Sequence, residues 1–336
     1  MNTALVSGVR LSASPAVEAF LFDFAKISEA YEYDWRKQES FAARAAYLNG
    51  GGYRGDRAGL AAALQAYNTA LGAGPDVLEN VALLGQARTL AVVTGQQAGV
   101  FTGPAYSIYK AMTALHLAQQ QSERLGVPVV PVFWIAGEDH DWQEVAAVLA
   151  PSGDGTTRVA LRESFDGDKR SVGLAPIPAS LFDGVIDEFI ALLPETEFKA
   201  EVADRLRMAA LEGPALDPTI TWGQPTLADW FGRLITWLFA GTGLVICNSA
   251  DPALRRLEAE FFAKVVARHE AVDTALANGY SLLERLGYKA TVDRQPGNLN
   301  LFTYVDGQRL PMQAEGDQFW VRDRADLGWI RPELTD

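Results

Sequence analysis

Three short apolar segments, each followed by glycine or polar residues, constrain the fold of this chain more than any other feature. They cover residues 90–94, 127–136 and 244–247. Consecutive apolar residues over so short a length are typical of strands buried on both faces, as in a parallel sheet. A run with helical periodicity, residues 105–122, separates the first two segments. This order predicts a βαβ crossover and therefore an α/β fold.

Apolar periodicity and turn residues predict the remaining elements. We expect helices within residues 15–48, 57–72, 75–83, 179–212, 226–240 and 252–286. Short strands are predicted at residues 157–161 and 173–177, and Asp306-Gly307 predicts a hairpin between residues 301–305 and 309–312. Four regions follow: N-terminal helices with the first half of the core (1–149), an inserted subdomain (150–225), a core strand with a long helix (226–286), and a second, β-rich insertion (287–336).

Composition limits the classes of function. The 336 residues carry 29 Lys and Arg against 42 Asp and Glu, a net charge of −13, which argues against non-specific binding to nucleic acid or anionic membranes. Cys247 is the single cysteine, so an intrachain disulfide is impossible. The sequence shows neither a signal peptide nor an apolar stretch of about 18 residues, and we expect a cytoplasmic protein.

The first candidate site is the glycine loop, defined here as residues 94–104. It lies between a predicted strand and a predicted helix, where glycines permit close backbone approach and the helix N-terminus offers free N–H groups to an anion. The alternative is a structural turn beside a solvated lysine. The candidate ligand-binding residues are Gly95, Gln96, Gln97, Gly99, Thr102, Gly103 and, in the following helix, Lys110.

The second candidate site is the acidic segment, defined here as residues 137–141, directly after the second apolar segment. Crowded carboxylates raise one another's pKa, which suits acid–base catalysis, and their oxygens could also bind Mg²⁺. The alternative is an acidic helix N-terminus. A lone histidine is a poor zinc site, so no metal ligands are assigned. The candidate catalytic residues are Glu138, Asp139, His140 and Asp141.

A third polar stretch, residues 248–251, follows the last apolar segment. Ligands bind outside the carboxyl ends of the strands in open α/β sheets, so this stretch is also well placed. Asp251 before Pro252 has the simpler explanation of a helix N-cap. Cys247 lies inside the apolar segment, and we expect it to be buried and unreactive.

These segments resemble the cysteine-adding enzyme of bacillithiol biosynthesis, the BshC family. The resemblance extends over nearly the whole chain, and the glycine loop and the acidic segment are long and specific. Asn248 departs from it, because an acidic residue is expected there. The residues that carry the resemblance are 93–99, 102–104, Lys110, 131–141, 229–231, Leu234, 243–245, 251–256 and 300–302.

The resemblance implies a Rossmann-like parallel-sheet core with inserted subdomains, similar to class I aminoacyl-tRNA synthetases and nucleotidylyltransferases. It implies a ligase that forms an amide between L-cysteine and glucosaminyl-malate. Because a carboxylate is a poor electrophile, we expect a nucleotide, ATP with Mg, to activate it. Family members also continue past Asp336 into a further core strand and a coiled coil used for homodimerisation, which we expect this chain to lack.

On this reading the glycine loop holds an anionic ligand that Lys110 neutralises. Glu138, Asp139 and His140 recognise the amine and transfer its proton, and Asp141 orients His140. The carboxylates of malate need cations, for which Lys110 is the better placed candidate and Arg294 the weaker one. Two alternatives stay open: a catalytically incomplete ligand-binding fragment, and a metal-dependent nucleotidylyltransferase or hydrolase that uses the acidic segment.

Overall fold

The computed structural model describes residues 14–52, 55–162, 170–211, 225–291, 294–295, 297–306, 308–316 and 318–322. These residues divide into two compact units. Of the described residues, the first unit takes those within 14–52, 261–301 and 311–322, and the second unit takes those within 55–260 and 302–310.

The elements alternate as the sequence predicts for an α/β chain. The helices are α1 (Pro15–Phe22), α2 (Gln38–Tyr47), α3 (Arg57–Ala70), α4 (Pro75–Leu84), α5 (Tyr106–Leu125), α6 (Trp142–Val145), α7 (Ala179–Leu192), α8 (Lys199–Leu211), α9 (Leu227–Leu238), α10 (Pro252–Ala267) and α11 (His269–Arg285). The strands are β1 (Leu90–Gln96), β2 (Val129–Ile135), β3 (Ala147–Ser152), β4 (Gly155–Ala160), β5 (Val245–Asn248), β6 (Asn298–Val305), β7 (Gln308–Glu315) and β8 (Gln318–Val321). None of the described helices is both long and apolar enough to cross a lipid bilayer.

The second unit is built on a parallel sheet in the order β1-β2-β5. Helix α5 connects β1 to β2, which confirms the predicted βαβ unit. Pro131 lies inside β2, although proline cannot donate to a sheet. Pairing with β5 begins at Val132, one residue later, so Pro131 stands where β2 has no neighbour on that side.

Helices cover both faces of this sheet, and the two-residue period of β2 decides which side chains meet which helices. Val130 and Val132 belong to one apolar cluster, with residues of α3 and α4. Phe133 and Ile135 belong to the other, with residues of α5 and α9. Because both faces of the sheet are buried, the sequence of β2 is a continuous apolar segment. A parallel sheet covered by helices on both faces is the Rossmann-like architecture that the sequence predicts.

A side chain takes the place of a neighbouring strand at the open edge of β5. The side-chain amide of Asn68, on α3, donates to the carbonyl oxygen of Ile246 over 2.8 Å and accepts from its N–H over 2.9 Å. Asn68 is fully buried. These two hydrogen bonds satisfy backbone groups that an edge strand would otherwise leave unpaired, and they fix α3 against the sheet.

Two predictions of local structure differ from the structure. The helix predicted over residues 252–286 is two helices, because the backbone leaves the helical conformation at Arg268 (φ −125°, ψ 23°). Residues 173–177 form turns and a single bridge between Pro176 and Thr226 rather than a strand. Within residues 15–48, where helices are predicted, α1 and α2 are separated by two 3₁₀ turns and an irregular stretch.

Antiparallel pairs complete the described structure. Strands β3 and β4 form a hairpin whose turn contains Gly153 in the left-handed region. Strands β6, β7 and β8 form a three-stranded sheet in that order. The hairpin predicted around Asp306 is present in β6 and β7, while Gly307 lies outside the described residues. The part of this hairpin nearest its turn, Phe302–Leu310, belongs to the second unit.

Candidate functional site at the carboxyl ends of the parallel strands

The carboxyl ends of β1, β2 and β5 lie side by side. Gln96 pairs with Ile135, and Ile135 pairs with Asn248. Backbone hydrogen bonds continue past the strand ends, from Ala136 N–H to the Gln96 carbonyl and from Ser249 N–H to the Ile135 carbonyl, both at 3.0 Å. The glycine loop, the acidic segment and residues 248–251 are therefore neighbours at one edge of the sheet, which is where open α/β sheets bind ligands.

Phe101 anchors the glycine loop. Its backbone lies in the left-handed region (φ 59°), which is unfavourable for a bulky residue and needs compensation. The ring supplies it by packing 4.4 Å from that of Phe189 and 5.1 Å from that of Trp230, between centroids. The neighbouring Val100 N–H donates to the Val145 carbonyl over 2.8 Å. The loop is thus held by the core on its inner side.

The glycines of this loop serve backbone packing. Gly95 lies within β1, and a Cβ there would stand 2.5 Å from the carbonyl oxygen of Trp134. A Cβ on Gly99 would stand 2.8 Å from the Cα of Gly103, which itself has φ +63°. These contacts support the alternative that the glycines form a structural turn, because a side chain at either position would clash with the backbone. The backbone of the loop is therefore close-packed at the place where a ligand would contact it.

The polar side chains of the loop turn toward its neighbours. Nε2 of Gln97 donates to Oδ2 of Asp139 over 2.7 Å, which links the glycine loop to the acidic segment. Lys110, from α5, reaches back to the end of β1, where Nζ donates to Oε1 of Gln96 over 3.0 Å and to the Gly95 carbonyl over 3.2 Å. Thr102 is half-buried at the far end of the loop. A cation and amide groups therefore border this loop.

Helix α5 begins directly after the loop and has no side-chain cap. The first-turn residue Ser107 is fully buried, and its hydroxyl finds no hydrogen-bond partner within the described residues. A Cβ on Gly103 would lie 3.7 Å from this hydroxyl oxygen. The N–H groups of Ser107 and Ile108 already donate to the Pro104 and Ala105 carbonyls, so the unpaired hydroxyl of Ser107 is the feature that an anion at this helix N-terminus would satisfy.

The first two carboxylates of the acidic segment have different partners. Glu138 accepts a hydrogen bond from the hydroxyl of Ser249, from the loop after β5. Burial acts to raise the pKa of Asp139, but hydrogen bonds from Gln97 and from the backbone N–H of His140, together with the charge of Arg309, outweigh burial and hold this pKa below its usual range. Asp139 is therefore ionised at neutral pH.

Asp139 lies beside His140, but Nδ1 of His140 forms no hydrogen bond within the described residues. Nδ1 of His140 lies 3.7 Å from Oδ1 of Asp139, with both side chains about two-fifths exposed. Asp141 instead caps α6, since its carboxylate accepts from the N–H of Glu144 over 3.3 Å. Asp141 thus has the helix-capping role that was the alternative explanation, because α6 starts one residue after it.

Residues 170–173 and the β6–β7 hairpin also border the acidic segment, which no pattern in the sequence predicts. Val172 N–H donates to the Asp139 carbonyl over 2.7 Å, and Gly173 N–H to the Gly137 carbonyl over 2.6 Å. The hydroxyl of Ser171 donates to the same Gly137 carbonyl and also bonds Tyr304 of β6. The Asp306-Gly307 turn predicts this hairpin but carries no information on where it packs.

Residues 248–251 mainly support the site. Oδ1 of Asn248 accepts from Ala250 N–H over 3.0 Å, and its amide donates to the Tyr67 hydroxyl over 3.2 Å. Asp251 accepts from Ala253 N–H over 2.9 Å at the start of α10, as an N-cap does. Cys247 is buried, and this burial raises its pKa to about 12. Among the described residues, no group of three or more acidic, histidine or cysteine side chains could hold a metal ion.

A parallel sheet with helices on both faces, and with three polar loops at the carboxyl ends of its strands, defines this protein as one of the Rossmann-like α/β class. A family model described as "Bacillithiol biosynthesis BshC, N-terminal Rossmann-like domain" matches residues 2–336. The chain belongs to this family.

Relatives in several bacteria carry the name "Putative cysteine ligase BshC". The one from Symbiobacterium thermophilum is 62% identical over an alignment of 337 positions that covers 100% of this chain and 60% of that protein. The one from Bacillus cereus strain B4264 is 32% identical across 90% of this chain and 52% of its own length. The one from Geobacillus kaustophilus is 34% identical across 91% and 54%. The chain thus spans between half and two-thirds of the length of these relatives.

Proposed function

We propose that this chain supplies the core of a ligase that joins the carboxyl group of L-cysteine to the amine of glucosaminyl-malate. The hydrogen bond between Gln97 and Asp139 carries this proposal, because it joins the glycine loop, to which we assign anion binding, to an ionised carboxylate beside a histidine. Amide formation needs both functions together: a place for an activated, negatively charged acyl donor and a group that receives the proton of the amine.

The acyl-donor side is the glycine loop with the start of α5. The hydroxyl of Ser107 and the ammonium group of Lys110 lie three residues apart on α5, next to the close-packed glycines of the loop. A phosphate suits this end of the helix, since the hydroxyl offers a proton and the ammonium group a positive charge. ATP with Mg is the expected co-substrate, and when bound it would supply the activation that a carboxylate needs to become an electrophile.

The amine side is the acidic segment. The ionised Asp139 attracts an ammonium group, and His140, whose Nδ1 lies 3.7 Å from it, accepts the proton that the nitrogen must lose. The nitrogen then attacks the carbonyl carbon of the activated cysteine, a C–N bond forms, and the activating group leaves with the electrons of its bond to that carbon. Glu138 is engaged by Ser249, so we assign it the positioning of this segment rather than proton transfer.

Mass-spectrometric detection of the ligated product from glucosaminyl-malate, cysteine and ATP tests this function. Two proteins are assayed: the chain of 336 residues, and a chimera in which it replaces the matched part of the Symbiobacterium thermophilum relative. We expect product from the chimera, and losses of about 100-fold or more in Asp139→Asn and His140→Ala, as general acid–base groups contribute. The exposed turn residue Asp154 provides the matched control, Asp154→Asn, with unchanged activity.

The outcomes separate the proposed ligase from its alternatives. A folded chimera that binds glucosaminyl-malate without forming product would favour a ligand-binding role. Turnover that needs a divalent metal but does not need cysteine would favour the metal-dependent nucleotidylyltransferase or hydrolase. Full activity in both variants would remove the roles assigned to Asp139 and His140.

A further inference from the structure

Arg309, on β7, is the feature of the site that the proposed mechanism leaves unused. The central carbon of its guanidinium group lies over the ring of Phe302, 3.5 Å from the ring centroid. Stacking of this kind holds the planar group in one orientation while its N–H edges stay available. No carboxylate among the described residues forms an ion pair with it. Arg309 is thus a half-buried cation that makes no ion-pair contact with a described carboxylate and acts on Asp139 through its charge alone.

Backbone contacts fix this cation next to the acidic segment. The preceding residue, Gln308, forms a β-bridge with Arg170. Residues 171–173 follow directly and make the hydrogen bonds to the Gly137 and Asp139 carbonyls described above. On the other strand of the hairpin, Tyr304 bonds Ser171. The charge of Arg309 reaches Asp139 and lowers its pKa, in agreement with this placement.

The two cations that the sequence suggests for the substrate carboxylates, and Arg255 on α10, all have other partners. Arg294 forms a two-pronged ion pair with Asp273 in the first unit, with contacts of 3.0 and 2.6 Å. Lys110 is bound to Gly95 and Gln96 on the side of the glycine loop. Arg255 pairs with Glu258 over 2.8 Å. The arginine that faces the acidic segment is therefore the better candidate than either residue chosen from the sequence.

We propose that Arg309, held on Phe302 beside the acidic segment, binds a carboxylate of the malyl group of the amine substrate. The inference rests on the proposed function, and the connectivity of the substrate supports it. In a glucosaminyl glycoside the amine on carbon 2 neighbours the glycosidic oxygen on carbon 1. When that amine approaches Asp139 and His140, the malyl carboxylates fall on an adjacent surface of the site. A planar guanidinium group matches a carboxylate with two parallel hydrogen bonds.

Calorimetric titration of the 336-residue chain tests the inference without requiring catalysis. The probes are glucosaminyl-malate and methyl glucosaminide, which keeps the amine but lacks the malyl carboxylates. We expect Arg309→Gln to weaken binding of glucosaminyl-malate by about 10- to 100-fold, as loss of a charged hydrogen-bond pair does. Binding of methyl glucosaminide should be equal in wild type and variant. Arg309→Lys keeps the positive charge but lacks the two parallel N–H groups of a guanidinium, and it should weaken binding of glucosaminyl-malate by an intermediate factor.

The matched control is Arg162→Gln, because the Arg162 side chain is 84% exposed and pairs loosely with Glu188 at 3.7 Å. It should bind both probes like wild type. Equal binding of glucosaminyl-malate by wild type and Arg309→Gln would overturn the inference alone. A folded wild-type chain that binds no glucosaminyl-malate would overturn the proposed substrate together with the inference. If Arg309→Gln fails to fold, Arg309→Lys decides: binding at the wild-type level contradicts a two-pronged contact.

Discussion

Nε2 of Gln97 and Oδ2 of Asp139 are 2.7 Å apart, in a hydrogen bond between the loop after β1 and the loop after β2. An amide donor suits this position because it stabilises the carboxylate without adding charge. Together with the N–H of His140 it keeps Asp139 ionised although the side chain is partly buried. The Gln97 side chain thus links the loop after β1 to the loop after β2, and it helps to keep Asp139 negatively charged where the two loops meet.

Exchange of this amide for a carboxylate should change the pH dependence of catalysis. In Gln97→Glu, two carboxyl groups face each other at hydrogen-bonding distance, so they share a proton and the pKa of the pair rises. We expect lower activity and an acid limb shifted to higher pH, measured as the pH–rate profile of the chimera. Gln65→Glu, on the exposed face of α3, makes the same change and should leave the profile unaltered. An identical profile for Gln97→Glu would contradict the role of this hydrogen bond.

The lowered pKa of Asp139 also predicts a pH dependence of stability. A carboxyl group with a native pKa below its unfolded value stabilises the fold above the unfolded pKa, and this contribution is lost as the pH falls through the native pKa. Asp139→Asn should therefore be slightly less stable than wild type at pH 7, and the difference should shrink toward pH 3. Because the side chain is 38% exposed, solvent screening limits the effect to about 1 kcal/mol or less. Urea unfolding at both pH values measures it.

Loss of the Asn68 side-chain amide should destabilise the sheet. Asn68→Leu leaves the N–H and the carbonyl group of Ile246 buried without partners, which costs about 2–4 kcal/mol in the free energy of unfolding. Urea unfolding followed by circular dichroism provides the measurement. The same substitution at Asn278, exposed on α11, should change stability by about 0.5 kcal/mol or less. Equal stabilities for the two variants would mean that water or another group replaces Asn68.

The parallel core could be predicted from the sequence because burial on both faces produces an unbroken apolar segment for each strand. The same logic placed the glycine loop and the acidic segment at one edge, since parallel strands end together. Arg309 and Tyr304 could not be found this way. They lie on a hairpin that is remote in sequence, and the alternation of its residues predicts strands without saying what they pack against. Asp141 shows the opposite difficulty, because a carboxylate that caps a helix and one that binds a ligand look alike in sequence.

The thiol of Cys247 should be unreactive in the native protein. Burial raises its pKa to about 12, so the thiolate needed for alkylation is nearly absent at pH 8. We expect no labelling by iodoacetamide until denaturant unfolds the chain, and then one label per chain, measured by mass spectrometry. Above the unfolded pKa of about 9, the unfolded state ionises while the native state does not, so stability should fall as the pH rises further. Rapid labelling of native protein at pH 8 would show that the β5 edge opens.

A methyl group at Gly173 should displace the acidic segment. A Cβ there would stand 2.7 Å from the carbonyl oxygen and 2.9 Å from the Cα of Gly137, and both are backbone atoms that cannot rotate away. Relief of the clash separates residues 171–173 from the acidic segment, so Gly173→Ala should lower the free energy of unfolding by about 1–3 kcal/mol and also reduce ligase activity. Gly184, in the middle of α7, has open space around its Cβ position. Gly184→Ala should therefore raise stability by about 0.5–1 kcal/mol with unchanged activity. A Gly173→Ala protein with wild-type stability and activity would show that residues 171–173 do not support the site.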